Sequence, residues 1–127
     1  MAKQKKYTLE YIIRSSPLVL YNFLINPTGL QQWFAEEVDN EGTTYSFTWR
    51  GHTDIAYLIS TEDDDFIRYR WDYYDEDKYF EFRIEKGEIT DDTILYITDF
   101  AEEKEIEGQK QLWDTQIKNL IKRIGAS

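Results

Sequence analysis

The chain has 127 residues, with four tryptophans, ten tyrosines, seven phenylalanines and a formal net charge of -10. This length predicts a single domain, spanning residues 1–127, that can bury a sizeable core. The acidic balance disfavours nucleic acid and anionic membrane surfaces as partners, and no apolar run is long enough for a membrane span. The lack of cysteine excludes disulfides and thiolate metal sites. The basic N-terminus has no apolar stretch behind it, so we expect a cytoplasmic protein.

The N-terminal third predicts one strand followed by two short helices. Apolar and polar side chains alternate over residues 7–14, which is typical of a strand. Ser16 and Pro17 mark the start of a helix that continues to residue 25, where Asn26-Pro27 ends it. A second short helix is predicted at residues 28–34. Three of its side chains are expected to be buried: Leu30, Trp33 and Phe34.

Two-residue periodicity then predicts five further strands, at residues 44–50, 55–59, 66–71, 80–85 and 94–100. Short connections between sequential strands favour an antiparallel meander. Each strand has one strongly apolar face, so we expect one face of the sheet to be covered and the other wet. On the wet face, Arg68 and Arg70 are predicted to lie opposite Glu81, Arg83 and Glu85 as a solvated set of charges.

The last predicted element is a long amphipathic helix at residues 107–124, ended by Gly125. Its apolar stripe consists of Trp113, Ile117, Leu120, Ile121 and Ile124. A helix with such a stripe must lie on an apolar surface, which the sheet supplies. The predicted architecture is therefore an α+β helix-grip fold of order β-α-α-β5-α, with a curved six-stranded antiparallel sheet wrapped around a long C-terminal helix.

This order and several local motifs resemble the START-like superfamily, also called helix-grip, Bet v 1-like or SRPBCC. The resemblance is closest to bacterial relatives of the activator of Hsp90 ATPase. It rests on Asn26-Pro27 followed by Leu30, Trp33 and Phe34, on Phe47-Thr48-Trp49-Arg50-Gly51, on residues 66–71 and on Leu112-Trp113-Asp114. Members of the superfamily carry lipids and hormones, cyclise aromatic polyketides, act as hydrolases or stimulate chaperones, so the resemblance implies a shape more than an activity.

No catalytic, metal or cofactor site is predicted. His52 is the only histidine, and a lone histidine beside a glycine is expected to be an exposed turn residue. The acidic runs at residues 62–65 and 72–77 lack the spacing of a calcium loop and are interpreted as solvated turns.

The remaining candidate is the aromatic face beneath the C-terminal helix. It predicts an elongated hydrophobic pocket lined by Trp33, Phe34, Tyr45, Phe47, Trp49, Tyr57, Tyr69, Trp71, Phe82, Tyr96, Trp113 and Ile117. The hydroxyls of Tyr45, Tyr69 and Tyr96 would orient the polar end of a ligand. The alternative interpretation is that these large rings simply fill the space between sheet and helix.

The preferred hypothesis is non-enzymatic binding of a hydrophobic or aromatic small molecule or lipid. A protein-interaction or chaperone-related role is the first alternative, as the resemblance implies. A cyclase-like enzyme that uses pocket tyrosines is the second, and it is disfavoured because no Asp or His is predicted on the pocket face. The chain is expected to be a monomer or a weak homodimer.

Overall fold

The computed structural model describes residues 3–87 and 92–125. The elements in chain order are β1 (Gln4–Ile13), α1 (Pro17–Ile25), α2 (Pro27–Leu30), β2 (Glu37–Glu41), β3 (Thr44–Trp49), β4 (His52–Glu62), β5 (Phe66–Trp71), β6 (Phe80–Lys86), β7 (Thr93–Glu102) and α3 (Ile106–Ile124). A 3₁₀ turn at Glu103–Glu105 leads into α3. The connection predicted between residues 86 and 92 falls mostly outside the described residues.

The described strands form one open antiparallel sheet in the order β1-β7-β6-β5-β4-β3-β2. The first strand pairs with the last, and the strands from β2 to β7 follow one another as a meander. The predicted α+β helix-grip architecture is confirmed, with one correction. The sheet has seven strands and not six, because β2 was not predicted.

β2 could not be recognised from periodicity because its sequence, EVDNE, contains a single apolar residue. Val38 is 4% exposed and packs into the core, whereas the other residues of the strand are exposed. A short, charged strand of this kind is typical of a sheet edge, where it discourages pairing with another chain.

Both short helices begin close to their predicted positions, and α1 also ends where predicted. The Ser16 side chain caps α1 by accepting a hydrogen bond from the Val19 amide at 3.2 Å. α2 ends at Leu30, earlier than predicted. Trp33 and Phe34 therefore lie in the turn that follows α2, yet both are buried as predicted, at 5% and 4% exposed.

Close packing of α2 on α1 fixes the position of that turn. A Cβ atom on Gly29 would lie 2.6 Å from the Asn22 carbonyl oxygen, so only glycine permits this approach. The Trp33 indole N–H then donates to the Phe23 carbonyl oxygen at 2.8 Å. These contacts hold the aromatic residues after α2 against one end of the sheet.

The inward faces of three strands agree with the prediction. Their buried side chains are Tyr45 and Phe47 on β3, Ile67, Tyr69 and Trp71 on β5, and Phe80, Phe82 and Ile84 on β6. In each of these strands, charged or hydroxyl residues occupy most of the intervening positions, so the sequence itself distinguishes the two faces.

The face predicted for β4 was wrong. Ala56 is fully buried and aligned with Tyr45 and Trp71, whereas Tyr57, aligned with Arg70, is 42% exposed on the opposite face. Ile59 is 36% exposed at a register shift between Leu58 and Ser60. Both faces of this strand are apolar, and the larger side chains lie outside. The reason is steric: the aromatic residues of β3 and β5 fill the inner face and leave room for the small alanine between them.

The face predicted for β7 was also wrong. Leu95, Ile97, Asp99 and Ala101 are the buried, inward residues, in place of Ile94, Tyr96, Thr98 and Phe100. Pairing with β1 determines which face of β7 points inward, because inward Leu9 aligns with Ile97 and inward Tyr7 aligns with Asp99. Tyr96 instead aligns with Glu10 and Arg83 on the outer face.

α3 covers the inner face as predicted. Trp113, Ile117 and Leu120 are buried against the sheet. The helix ends at Gly125, which has the left-handed conformation of a C′ residue with φ of 78° and donates its amide to the Ile121 carbonyl oxygen at 3.0 Å.

Candidate functional site

Aromatic rings fill the space directly beneath the middle of α3. The Phe34 ring centroid lies 5.1 Å from that of Phe47 and 6.0 Å from that of Trp113. Trp113 in turn lies 5.8 Å from Phe82. Rings at separations of roughly 4.5–7 Å are in direct contact, so this part of the interior is packed core and not an enclosed cavity.

Five residues predicted to line a pocket belong to this core. They are at most 3% exposed: Tyr45, Phe47, Tyr69, Phe82 and Ile117. Two further predicted residues, Tyr57 and Tyr96, lie on the opposite face of the sheet. The rings therefore do largely what the alternative interpretation of the sequence expected, which is to fill the space between sheet and helix.

The hydroxyls of Tyr45 and Tyr69 form hydrogen bonds to the backbone. They donate to the carbonyl oxygens of Ile25 and Leu24, each at 2.8 Å. These carbonyls lie in the last turn of α1, where backbone acceptors have no partner within the helix. Burial raises the pKa of both tyrosines, so they remain protonated donors that stabilise the helix end.

An open groove of about 1180 Å³ lies beside this core, along one flank of α3. Its other walls come from the turn after α2 and from the adjacent ends of β3, β5 and β7. All four tryptophans of the chain line it. The predicted pocket residues that the groove brings together are Trp33, Phe34, Trp49, Trp71 and Trp113.

Two large apolar side chains are exposed at the edge of the groove. Leu112 on α3 and Tyr73 after β5 both line it and are 61% and 64% exposed. Tyr73 stacks on Trp71 with ring centroids 5.9 Å apart, and the Tyr74 ring follows at 5.5 Å from Tyr73. Three aromatic rings thus lead from the floor of the groove towards Asp99.

Asp99 is the buried polar group of the groove, at 5% exposed. Its Oδ1 accepts hydrogen bonds from the Tyr74 hydroxyl at 2.7 Å and from the Phe100 amide at 2.8 Å. The neighbouring Trp113 and Tyr7 side chains also favour the ionised carboxylate, and among the described residues no Lys, Arg or His forms an ion pair with it. A buried carboxylate without a cationic partner is energetically costly.

The surroundings of Asp99 perturb its ionisation. Burial raises the pKa of Asp99 from 3.8 to about 6, and the Tyr74 hydroxyl, the Phe100 amide, Trp113 and Tyr7 limit the rise. Tyr7, aligned with Asp99 on the neighbouring strand, is 8% exposed, and its hydroxyl has no hydrogen-bond partner in the described part of the chain. Burial and the charge of Asp99 raise the pKa of both Tyr7 and Tyr74.

The expectation that no Asp or His lies on the pocket face was therefore wrong. The assignment of β7 to the opposite face had placed Asp99 outside. One signal was available: residues 95, 97, 99 and 101 read Leu, Ile, Asp and Ala, a single carboxylate in an otherwise apolar row. Tyr73, Tyr74 and Leu112 gave no comparable signal, because their roles depend on how α3 lies across the sheet.

The other titratable candidates lie at the surface. The His52 side chain is 75% exposed as predicted, with Nε2 3.0 Å from Asp54 Oδ1, but it is the first residue of β4 and does not lie in the turn. Within residues 3–87 and 92–125, no group of three His, Asp or Glu side chains is placed to hold a metal ion. In the same ranges, no helix combines the length and the apolar character needed to cross a membrane.

Comparison with solved structures places this fold among known relatives. The chain is similar to BfR322 from Bacteroides fragilis, with 34% identity, a TM-score of 0.69 and coverage of 97% of this chain and 92% of that one. It is also similar in fold to the Aha1 dimer from Colwellia psychrerythraea, with 15% identity, a TM-score of 0.79 and coverage of 94% and 96%. MLL2253 from Mesorhizobium loti gives 16% identity, a TM-score of 0.75 and coverage of 93% and 95%.

A comparison with curated proteins gives no significant match. Residues 1–126, however, match the START-like superfamily domain, a superfamily whose members typically bind ligands. This match covers almost the whole chain and agrees with the open antiparallel sheet and long C-terminal helix described above. The chain therefore belongs to the START-like superfamily.

Proposed function

We propose that the chain binds a small molecule with a hydrophobic, aromatic or lipid-like body in the groove beside α3, without converting it. The observation that carries this proposal is the groove of about 1180 Å³ lined by Trp33, Trp49, Trp71 and Trp113. Sites for drug-sized ligands measure roughly 300–1,000 Å³ and are lined mainly by apolar and aromatic groups with a few polar ones. Here the aromatic residues are flanked by a larger number of polar and charged ones, among them Asp99, Gln116 and Arg50.

Apolar burial would supply the affinity. Each 100 Å² of apolar surface removed from water contributes about 2.5 kcal/mol before the cost of association. The exposed rim residues Leu112 and Tyr73 would be covered by a ligand whose body reaches the mouth of the groove. The filled core under α3 supports the groove flank, and not the centre of the sheet, as the place of binding.

Intrinsic fluorescence tests the proposal directly because every tryptophan lines the groove. We expect saturable changes in emission with at least one class among fatty acids, sterols, flavonoids and simple aromatic compounds. No saturable change and no thermal shift with any of these classes would contradict the proposal.

A matched pair of substitutions separates groove binding from surface adsorption. Leu112→Arg at the rim should weaken binding at least about tenfold, because a solvated cation would replace apolar contact area. Leu18→Arg is the control, since Leu18 on α1 has a similar exposure of 59% and does not line the groove. It should leave affinity within about twofold. Equal effects of the two substitutions would point away from the groove.

A protein-interaction role is the second candidate function. The supporting observation is the exposed apolar pair Leu18 and Val19 on α1, at 59% and 43% exposed, together with the likeness to the Aha1 dimer. The ATPase rate of a purified Hsp90-type chaperone, measured with and without the chain, tests the chaperone-related form of this candidate. Sedimentation of the purified chain tests the expected monomer or weak homodimer.

A cyclase-like enzyme is the third candidate, and its residues must be reassigned. Tyr69 donates to the backbone and Tyr96 faces away from the groove, so neither supports acid–base chemistry there. Asp99 with Tyr74 is the pair that the groove offers. Turnover of an aromatic substrate that is lost in Asp99→Asn would support this candidate over simple binding.

A further inference from the structure

The hydrogen-bonding neighbours of Asp99 among the described residues carry no positive charge. Asp99 accepts two hydrogen bonds on Oδ1, both from neutral donors. The groups that act on its ionisation are Tyr74, Phe100, Trp113 and Tyr7, none of which carries a positive charge. Asp54 and Asp72 add further negative charge nearby, since both act together with Asp99 on the Tyr73 hydroxyl.

Among the described residues, three cationic ones line the groove: Arg50 after β3, and Lys122 and Arg123 on α3. None of them forms an ion pair with Asp99. Lys122 and Arg123 follow Trp113 on α3 by nine and ten residues, a distance of about 14 Å along a helix that rises 1.5 Å per residue. The Arg123 Nε atom donates to the Gln32 carbonyl oxygen at 3.1 Å. The groove therefore carries cations along its walls, while Asp99 itself has neutral hydrogen-bonding neighbours only.

Aromatic rings surround Asp99. Trp113 and Tyr74 both act on the Asp99 carboxylate, and Tyr73 and Trp71 continue the aromatic surface along the groove. Rings of this kind attract organic cations through their negative faces, and the attraction grows when the cation is desolvated. A buried carboxylate at one end of an aromatic surface thus complements a positive charge attached to an apolar body.

We infer that the groove takes a hydrophobic organic cation, with its protonated amine against Asp99 and its apolar body over the tryptophans. This inference rests on the proposed binding function and names the ligand class. An ammonium group has donors and no acceptor, so it can donate to this carboxylate, whose hydrogen-bonding neighbours among the described residues are all neutral. The unpaired Tyr7 hydroxyl beside the carboxylate is a second acceptor.

Three probes with the same body and different head groups test the inference: phenylbutylamine, phenylbutanol and phenylbutyrate. Their phenyl rings do not interfere with tryptophan emission, so each can be titrated at pH 7.5 with the wild-type chain. We expect the amine to bind at least about tenfold more tightly than the alcohol, and the acid to bind more weakly than either. This comparison requires no substitution and hence no assumption about folding.

The Asp99→Asn variant then assigns the preference to one residue. Asparagine retains an oxygen that can accept from Tyr74 and Phe100 but removes the negative charge. The advantage of the amine over the alcohol should fall to about twofold or less, while the affinity for the alcohol should remain within about twofold. Asp39→Asn, which removes an exposed charge on β2 that does not line the groove, should leave the preference intact.

The outcomes separate this inference from the function on which it rests. Equal binding of amine and alcohol, tighter binding of the acid, or an amine preference that survives Asp99→Asn would overturn the cation assignment and leave the hydrophobic groove standing. Failure of all three probes, together with failure of every compound class named above, would overturn the binding function itself.

Discussion

In the described part of the chain, the sheet has one buried carboxylate on each face. The two are almost equally shielded from solvent but differ in the charge of their hydrogen-bond partners. Glu81 on the outer face of β6 is 6% exposed, and its Oε1 lies 2.9 Å from Arg68 Nη2 and 3.3 Å from Arg83 Nη2. The Arg68 guanidinium also lies over the Tyr79 ring, 4.0 Å from its centroid. Asp99 on the inner face of β7 is 5% exposed and has neutral hydrogen-bond donors only.

The difference indicates which of the two carboxylates contributes to the stability of the fold. Glu81 has partners that neutralise it, so its burial serves the packing of the outer face. Asp99 is buried at an energetic cost that its neutral hydrogen-bonding neighbours offset only in part. Such a cost is typical of a binding or catalytic position, where part of the required environment arrives with the ligand.

Removing the charge of Asp99 should therefore stabilise the chain. The native pKa of about 6 lies above the ordinary 3.8, so the folded state favours the protonated form. The penalty is absent below about pH 4 and complete above about pH 6. Two units of pKa correspond to about 3 kcal/mol, and we expect Asp99→Asn to gain up to that amount at pH 8 and almost nothing at pH 4.

Urea denaturation of both proteins across this pH range measures the gain. An Asp99→Asn variant that is less stable than the wild type at pH 8 would mean that the ionised carboxylate makes a favourable contact. Asp99 and Glu81 would then not differ in how they are stabilised.

The matching change on the outer face should have the opposite sign. Glu81→Gln leaves Arg68 and Arg83 without their shared carboxylate, and both guanidiniums are partly covered by neighbouring side chains. Loss of charged hydrogen bonds of this kind costs roughly 1.5–3 kcal/mol. We expect a loss near the lower limit at pH 7, measured by urea denaturation, because the arginines retain some solvent. An unchanged midpoint would show that the pair contributes nothing.

Two buried tyrosine hydroxyls differ in the same way, one with a hydrogen-bond partner and one without such a partner among the described residues. Tyr69→Phe removes a 2.8 Å hydrogen bond to the Leu24 carbonyl oxygen and should destabilise by about 1 kcal/mol. Tyr7→Phe removes a hydroxyl that lacks a partner and should be neutral or slightly stabilising. Thermal unfolding of the two variants side by side compares them, and a larger loss for Tyr7→Phe than for Tyr69→Phe would contradict the assignment.

The smallest effect is expected on the outer face of β7. Tyr96 was predicted to orient a ligand but aligns with Glu10 and Arg83, away from the groove. Tyr96→Phe should change the stability by less than about 0.5 kcal/mol and the affinity for any groove ligand by less than about twofold. Fluorescence titration with the best-binding compound checks this. A clear loss of affinity would show that Tyr96 contributes to ligand binding after all.

The fold was predictable where one face of an element is clearly polar. Arg68 and Arg70 on β5 identify its outer face, and Lys118 and Lys122 do the same for α3, so the inward residues followed from periodicity. β4 and β7 are apolar on both faces, and there the larger aromatic residues proved a misleading guide. Their orientation depends on pairing across the sheet, such as that of Tyr7 with Asp99, which local sequence does not specify.

The candidate site was predictable only in part, for a related reason. Aromatic content indicated a pocket, and the tryptophans do lie together along the groove. Whether a given ring fills the core or lines an opening depends on where α3 crosses the sheet. Phe47 and Trp49 illustrate this, since both are inward residues of β3 but only Trp49 reaches the groove. Asp99 was missed because its strand was assigned to the wrong face.

The central claim is that Asp99 is a buried carboxylate that binds a ligand cation. The most direct test is to measure the pKa of Asp99 by carbon-13 NMR of its carboxyl group, with and without saturating phenylbutylamine. The account predicts a pKa near 6 in the free chain and a clear fall when the amine binds, because a nearby cation favours the ionised form. A free-chain pKa at or below the ordinary value of 3.8, or one that the bound amine leaves unchanged, would contradict it.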